Sequence, residues 1–183
     1  MRLKPGDIVL DRYRVASTLG RGGSATTYLA HDLTWNTPAA LKLLHATSPA
    51  LLETLRTEFD VLRGSSHPHL SRVHDFGFLP ATSSDALCFY TSDPIEGVTL
   101  DRAAKKSSWS RLRPAIIDLL HALQWLHALG LRHGDVKPSN VLVRADGRAV
   151  LIDLGCARPL RGQFAEPSGT PAYMAPELLS GRS

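Results

Sequence analysis

The loop formed by residues 133–140 brings together three side chains that can act on a transferred group. Asp135 can accept a proton from an attacking hydroxyl, and Lys137 can neutralise negative charge on a moving phosphoryl group. Asn140 can ligate a cation through its amide oxygen, and Asp153, which follows an apolar segment, offers a second oxygen ligand. Either carboxylate, taken alone, is equally compatible with a simple turn.

Two segments nearer the start of the chain contain residue types that bind phosphate groups. Residues 20–23 include three glycines, which let backbone N–H groups approach phosphate oxygens, although such a turn is more often only a turn. Lys42 ends an apolar strand segment, where a lysine usually extends its ammonium group into solvent. Glu58, on the helix predicted next, can instead hold that ammonium group against the phosphates of a nucleotide.

The predicted elements divide the chain into a strand-rich half and a helix-rich half. Leucine and isoleucine at positions 112, 116, 119, 123 and 126 form one helical stripe, and Gly130 ends that helix. Because further apolar residues lie elsewhere on the same helix, we expect it to be buried on nearly all sides. The other predicted elements are strands over residues 13–19, 25–30, 39–44, 71–78 and 86–91, a helix over 49–63, and a hairpin formed by 141–143 and 150–152.

Composition excludes several classes of protein. Of the 183 residues, 43% are hydrophobic and 21% charged, which is typical of a globular protein and not of a disordered tail. The net charge of +4 comes from scattered Lys and Arg, which favours a solvated surface over nucleic-acid binding. Cys88 and Cys156 are far apart, which argues against a zinc site and fits a reducing cytoplasm. No signal peptide or membrane-spanning run is predicted, so we expect no membrane contact from this segment.

The order of these motifs resembles that of the eukaryotic-like, bacterial-type serine/threonine protein kinase family. A Gly-rich loop, a strand lysine, a helix glutamate, a catalytic loop and a metal aspartate occur in the family's order, followed by the Ala-Pro-Glu motif at residues 175–177. The resemblance covers essentially the whole chain from Tyr13 onward. The segments 137–140 and 169–171 are similar to serine/threonine kinases and differ from tyrosine kinases.

The resemblance implies an α+β, two-lobe fold with a β-rich N-lobe and a helical C-lobe. We expect an N-terminal lead-in at residues 1–12, the N-lobe at 13–92, and the hinge with a partial C-lobe at 93–183. The family continues through several further helices, so the C-lobe is expected to be incomplete, with the catalytic domain truncated shortly after residues 175–177. An apolar helix that loses its cover would then make this piece poorly soluble and catalytically silent.

The resemblance also implies a site for ATP beneath the Gly-rich hairpin. Ala40 and Leu142 would enclose the adenine, and the backbone of Asp93 and Ile95 would read its edge. The residues expected to contact the nucleotide are Leu19, Gly20, Arg21, Gly22, Gly23, Ser24, Ala25, Thr26, Thr27, Ala40, Lys42, Asp93, Ile95 and Leu142.

Catalysis is expected to involve residues from both halves of the chain. The resemblance makes Asp135 the catalytic base for a protein Ser or Thr hydroxyl, and it has Asn140 and Asp153 bind Mg²⁺. Thr170 would lie near Asp135 and shape the site for the substrate hydroxyl. The expected catalytic set is Lys42, Glu58, Asp135, Lys137 and Asn140.

The sequence departs from the family pattern at four positions. Ala25 replaces the third loop glycine, Thr27 replaces a valine above the adenine, and Leu154 replaces a phenylalanine conservatively. Gly134 stands where the family usually has an arginine that pairs with a phosphate on the activation segment. Since glycine supplies no cation, activity is expected not to depend on that phosphorylation.

The main interpretation is an ATP-dependent serine/threonine protein kinase, present as a fragment or as the front of a longer signalling protein. Two alternatives stay open: a nucleotide-binding pseudokinase or truncated regulatory module without turnover, and an incomplete gene product without a stable fold. The expected partners are ATP, Mg²⁺ and a protein substrate bearing Ser or Thr, with further C-terminal domains possible and no nucleic acid. The expected location is the cytoplasm.

Overall fold

The structure, a computed structural model, describes most of the chain and divides it into two compact units. The first unit comprises residues up to 65 together with 72–94, and the second comprises residues 66–71 and those from 95 onward. The described residues are 2–22, 25–44, 56, 59–64, 66–79, 87–154, 157–160 and 169–179.

The first unit is built on a six-stranded antiparallel sheet. Its strands are β1 (Ile8–Val9), β2 (Tyr13–Arg21), β3 (Ala25–Asp32), β4 (Thr37–Leu44), β5 (Val73–Leu79) and β6 (Leu87–Ser92), in the order β1-β2-β3-β4-β6-β5. Strands joined by short connections usually lie side by side, as β2, β3 and β4 do here.

The core of this unit lies on one face of the sheet. Tyr28, Leu41, Leu43 and Phe89 are almost completely buried, and the ring of Tyr13 meets that of Phe89 edge-on at 5.9 Å between centroids. In β3, buried and partly exposed residues alternate, so a shift of its register by one residue would turn its apolar side chains away from the core.

A smaller buried cluster includes the thiol of Cys88. This side chain has no exposed surface and packs with Ala25, Leu44 and the partly buried ring of Phe76. Cys88 faces Leu44 across the pairing of β4 and β6. The thiol therefore acts as a small apolar side chain within the sheet.

A network of charged side chains connects the start of β2 with the end of β3 and with β5. The guanidinium of Arg12 donates to both carboxylate oxygens of Asp32 and also contacts Asp75 at 2.9 Å. Asp75 accepts a further hydrogen bond from the hydroxyl of Tyr13 at 2.8 Å. The Arg12 hydrogen bonds outweigh burial and hold the pKa of Asp32 below its ordinary value.

The second unit combines short strands with one long helix. Its strands are β7 (Val98–Thr99), β8 (Leu131–Arg132), β9 (Val141–Val143), β10 (Ala149–Leu151) and β11 (Arg158–Pro159), arranged as β10-β9-β7 and β11-β8. Its helices are α1 (Leu100–Ala104), α2 (Trp109–Ala128) and α3 (Pro176–Leu179), with 3-10 turns at Pro138–Asn140 and Pro171–Tyr173. No described helix has the length and hydrophobicity needed to cross a membrane.

Helix α2 is present as predicted, and in this chain it is not buried on all sides, as expected for a helix that has lost part of its cover. Its fully buried positions are Ala115, Asp118, Ala122 and Leu126, whereas Leu120 is 58% exposed. Small side chains let the helix approach β10 closely, so the large apolar residues of the predicted stripe lie at its flanks and, Leu126 apart, are only partly buried.

A buried carboxylate fastens α2 to the turn between β9 and β10. Asp118 accepts hydrogen bonds from Nε and a terminal nitrogen of Arg148, at 2.9 and 2.8 Å, and from the backbone N–H of Ala149 at 2.9 Å. Arg148 also donates to Nε2 of His69, whose Nδ1 contacts the carbonyl of Ala149. These contacts tie the 66–71 segment, the helix and the hairpin together.

The predicted strands of the first unit are all present, with ends that differ by a few residues. Strand β2 extends two residues beyond its predicted end, to Arg21, so the hairpin turn is shorter than the glycine pattern indicated. Of the helix predicted over 49–63, residues 56 and 59–63 are helical, and the other residues lie outside the described part of the chain. The α+β class is confirmed.

Candidate active site

The loop that carries the predicted base is anchored by a buried histidine. His133 follows β8 and is 1% exposed; its Nδ1 accepts the N–H of Asp135 at 3.2 Å. Its other ring nitrogen therefore carries the proton and donates to the carbonyl of Ile152 at 3.0 Å. The loop is thereby fixed to the segment that leaves β10 and leads to Asp153.

Both carboxylate oxygens of Asp135 are held by donors from three directions. Oδ1 accepts the backbone N–H of Thr170 at 2.8 Å, and Oδ2 contacts Nζ of Lys137 at 2.6 Å. Oδ2 also accepts Nδ2 of Asn140 at 3.1 Å. The side chain of Thr170 also hydrogen-bonds to this carboxylate.

The electrostatics keep this carboxylate ionised. Burial alone would raise the pKa of Asp135, but hydrogen bonds from Lys137 and Thr170 outweigh that effect, and the pKa lies below its ordinary value. The ammonium group of Lys137 also donates to Oγ1 of Thr170 at 2.6 Å, which leaves one of its three hydrogens for another acceptor.

Two glycines allow the activation segment to approach the loop. Gly134 has φ +81° and Gly169 has φ +126°, both in the left-handed region that favours glycine. A Cβ on Gly169 would lie 2.5 Å from the carbonyl oxygen of Gly134, far inside contact distance. The hydrogen bond from Thr170 to Asp135 therefore depends on the absence of a side chain at position 169.

The two predicted metal ligands lie on neighbouring backbone segments of the second unit. The carbonyl of Asn140 accepts the N–H of Ile152 at 2.9 Å, and Asp153 follows directly with φ +69°. The Asn140 amide nitrogen is fixed by the backbone carbonyl and side chain of Asp135, so its Oδ1 points elsewhere and bonds to no described residue. An amide oxygen and a carboxylate are the hard donors that Mg²⁺ requires, and the residues fit that ion.

Of the predicted phosphate-binding residues that the structure describes in the first unit, all but Gly22 lie on β2, β3 and β4. Gly20 and Arg21 pair with Thr27 and Thr26, and Gly22 donates its N–H to the carbonyl of Ala25 at 2.8 Å. Leu19, one residue before this pairing, is 54% exposed.

Lys42 lies in the middle of the sheet, opposite Thr27 on one side and Tyr90 on the other. Its Nζ is 5.9 Å from the centroid of the Tyr90 ring. Its expected partner Glu58, like Gly23 and Ser24 of the hairpin turn, lies outside the described residues.

The residues expected around adenine belong to both units. Ala40 pairs with Ser92 between β4 and β6, and the carboxylate of Asp93 contacts Nε2 of His74 at 2.6 Å. The chain leaves the first unit after Pro94, and Ile95 and Leu142 belong to the second. Leu142 pairs with Val150 and Thr99.

Sequence reasoning missed two buried groups that position the site. His133 lies within the loop at residues 133–140, and Asp118 lies within the apolar helix, but the sequence patterns assign no role to either residue. The signal for Asp118 was present, since a carboxylate within a helix that faces a core requires a partner. The partner, Arg148, is thirty residues away in sequence and could not be identified from spacing.

The order of these elements along the chain is that of a protein kinase. The protein kinase domain family matches residues 13–183, and the chain belongs to this family. The predicted two-lobe kinase fold and the resemblance to bacterial-type serine/threonine kinases are thus confirmed.

Curated relatives include several bacterial serine/threonine-protein kinases. The chain is 32% identical to PknG of Mycobacterium leprae and to serine/threonine-protein kinase C of Synechocystis sp., with 97% of the chain aligned in each case. It is 29% identical to PknA of Mycobacterium tuberculosis over 99% of the chain. The aligned part represents 24%, 37% and 44% of these relatives, so the chain spans less than half of their length.

Proposed function

We propose that this chain, as part of a complete catalytic domain, transfers the γ-phosphoryl group of ATP to Ser or Thr hydroxyls of a protein substrate. The observation that supports the proposal most strongly is the contact set around Asp135. Lys137, Asn140 and Thr170 all bond to one ionised carboxylate. In a chain of the protein kinase family, this contact set lies in the loop where the family's catalytic base is expected.

In the proposed reaction, the substrate hydroxyl donates its hydrogen bond to Asp135 and attacks the γ-phosphorus. A bond forms between the hydroxyl oxygen and phosphorus, and the bond from phosphorus to the β–γ bridging oxygen breaks. The proton passes to Asp135, and ADP leaves with the electron pair. Lys137, which has one hydrogen free of the described contacts, stabilises charge on the moving group, and Thr170 holds both residues in place.

The remaining residues supply binding and positioning. We assign the Gly-rich hairpin and Lys42 to the phosphates, Glu58 to holding Lys42, and Ala40, Asp93, Ile95 and Leu142 to the adenine. Asn140 and Asp153 would hold Mg²⁺, which supplies charge neutralisation on the phosphates when it is bound. We also propose a role in cytoplasmic signalling. The lobes proposed from the sequence divide between residues 92 and 93, two residues before the chain leaves the first compact unit.

Nucleotide binding by single variants tests the proposal. Lys42→Ala is expected to weaken ATP binding about tenfold or more, because a charge-assisted hydrogen bond to a phosphate is lost. Asp153→Ala is expected to weaken binding mainly when Mg²⁺ is present. Titration calorimetry with and without Mg²⁺ measures both effects, and Lys4→Ala, an exposed lysine of the first unit, is the control. Absence of ATP binding by folded wild-type protein would refute the proposal.

A further inference from the structure

The second unit carries a groove that the proposed reaction does not use. It has a volume of about 700 Å³ and lies between α1, the start of α2 and the turn that joins β9 to β10. Its walls include the apolar side chains of Val98, Leu112, Pro114 and Val143. A concave site of this volume is large enough for several side chains of a bound peptide.

The lining of the groove is strongly basic. It contains five cationic side chains, and its only carboxylate is that of Asp146, so its net charge equals the +4 of the entire chain. Asp146 is already engaged, since its Oδ1 accepts the backbone N–H of Arg148 at 2.9 Å. The cationic residues are Arg102, Lys105, Lys106, Arg111 and Arg144.

The cationic groups of the lining face solvent and are available to a ligand. All five residues are exposed, and none forms an ion pair within the described part of the chain. Asp101 lies one helical turn before Lys105 and contributes a negative charge that partly offsets the charge of that lysine. A cluster of like charges this close together is unfavourable by itself and attracts an anionic partner.

The walls of the groove are held in place by contacts beneath them. Gly97 lies so close to β9 that a Cβ there would be 2.7 Å from the carbonyl oxygen of Val143. The turn is closed by the hydrogen bond from Arg144 N–H to the carbonyl of Arg148 at 2.9 Å. The side chain of Arg148 donates two hydrogen bonds to the buried Asp118 of α2, and these bonds fix the distance between the β9–β10 turn and the helix.

We propose that this groove binds an acidic segment of a partner protein, with Glu or Asp side chains on the cations and an aliphatic side chain between the walls. Charge complementarity and the apolar walls together favour this occupant. Single-stranded nucleic acid is a poorer match, because stacking platforms for bases are aromatic and the groove lining contains no aromatic residue.

The proposal does not depend on kinase activity, because binding is measured without nucleotide. The probe is a short fluorescein-labelled peptide in which Glu and Leu alternate, and a matched peptide carries Gln in place of Glu. Neither peptide contains a hydroxyl that could accept a phosphoryl group. Fluorescence anisotropy with the full 183-residue chain is expected to show binding of the acidic peptide, weakened at high salt, and no binding of the Gln peptide.

Charge reversal locates the binding site. Lys105→Glu/Lys106→Glu is expected to lower affinity for the acidic peptide about tenfold or more. The control variant Arg2→Glu/Arg14→Glu changes the net charge by the same amount at exposed positions of the first unit. Its affinity for the acidic peptide is expected to stay within about twofold of the wild-type value.

A second matched pair lies on α2 itself. Arg111→Glu, within the lining, is expected to lower affinity about fivefold, and Arg113→Glu, outside it, is expected to have no effect. The proposal is overturned if wild type does not bind the peptide or if lining and control variants lose affinity equally. The proposal is also overturned if the Gln peptide binds as tightly as the acidic peptide. It is likewise overturned if an oligonucleotide binds more tightly than the acidic peptide and loses affinity in the lining variants.

Discussion

At the scale of single residues, the carboxylate of Asp135 combines a fixed orientation with a low pKa. Replacing it by Asn keeps its size and removes the proton acceptor, so Asp135→Asn is expected to lower phosphoryl transfer by about 10²–10⁴-fold. Nucleotide affinity should stay nearly unchanged, because the role proposed for this carboxylate is to contact the substrate hydroxyl and not the nucleotide. A radiolabel transfer assay beside calorimetry measures both quantities, and a variant that kept most of the rate would contradict the assignment.

The close approach of Gly169 to Gly134 predicts an effect larger than backbone strain. Gly169→Ala adds a Cβ 2.5 Å from a carbonyl oxygen and must push Thr170 away from Asp135. A displacement of this kind is expected to lower kcat about 10²-fold. Gly130→Ala is the control, since its φ of +75° is also positive but no atom lies within 4 Å of the added Cβ. Equal loss of activity in both variants would show that strain alone is responsible.

At the scale of elements, Arg148 connects the hairpin of β9 and β10 to α2. Removing it leaves Asp118, whose side chain is 3% exposed, without its cation. Because Arg148 is itself half-exposed, Arg148→Ala is expected to lower the free energy of unfolding by about 1–3 kcal/mol, measured by urea denaturation. Arg144→Ala, an exposed arginine of the same turn, should change it by less than about 0.5 kcal/mol. Similar values for the two variants would mean that the ion pair of Arg148 and Asp118 adds little.

The same two elements show what the sequence could and could not predict. Strands β2 to β6 and helix α2 were predicted because alternating and helical apolar spacing are local patterns. The buried face of α2 was not predicted, because it is formed by Asp118 and small alanines that contact a hairpin far away in the sequence. The catalytic loop was predicted from neighbouring residues, whereas its contact with Thr170 joins positions thirty-five residues apart.

For the whole molecule, two carboxylates with lowered pKa values each make the free energy of unfolding fall as the pH becomes acidic. Asp32 and Asp135 both have folded-state pKa values below the ordinary 3.8. Their contribution is therefore complete above that value and is lost as the pH falls through the folded-state values. Asp32→Asn should make the decline of unfolding free energy with acid shallower, as urea denaturation at a series of pH values would show. An unchanged slope would assign the acid sensitivity to other groups.

The buried thiol of Cys88 gives the first unit an internal reporter of its own opening. A thiol without exposed surface reacts with alkylating reagents only when the sheet around it separates, so the labelling rate measures the frequency of that event. Because Cys88 faces Leu44, two residues from Lys42 on the same strand, the event that exposes the thiol also disrupts the strand that carries the lysine. A nucleotide held by the intact strand would therefore protect a distant sulfur atom from alkylation, in proportion to the free energy with which it binds.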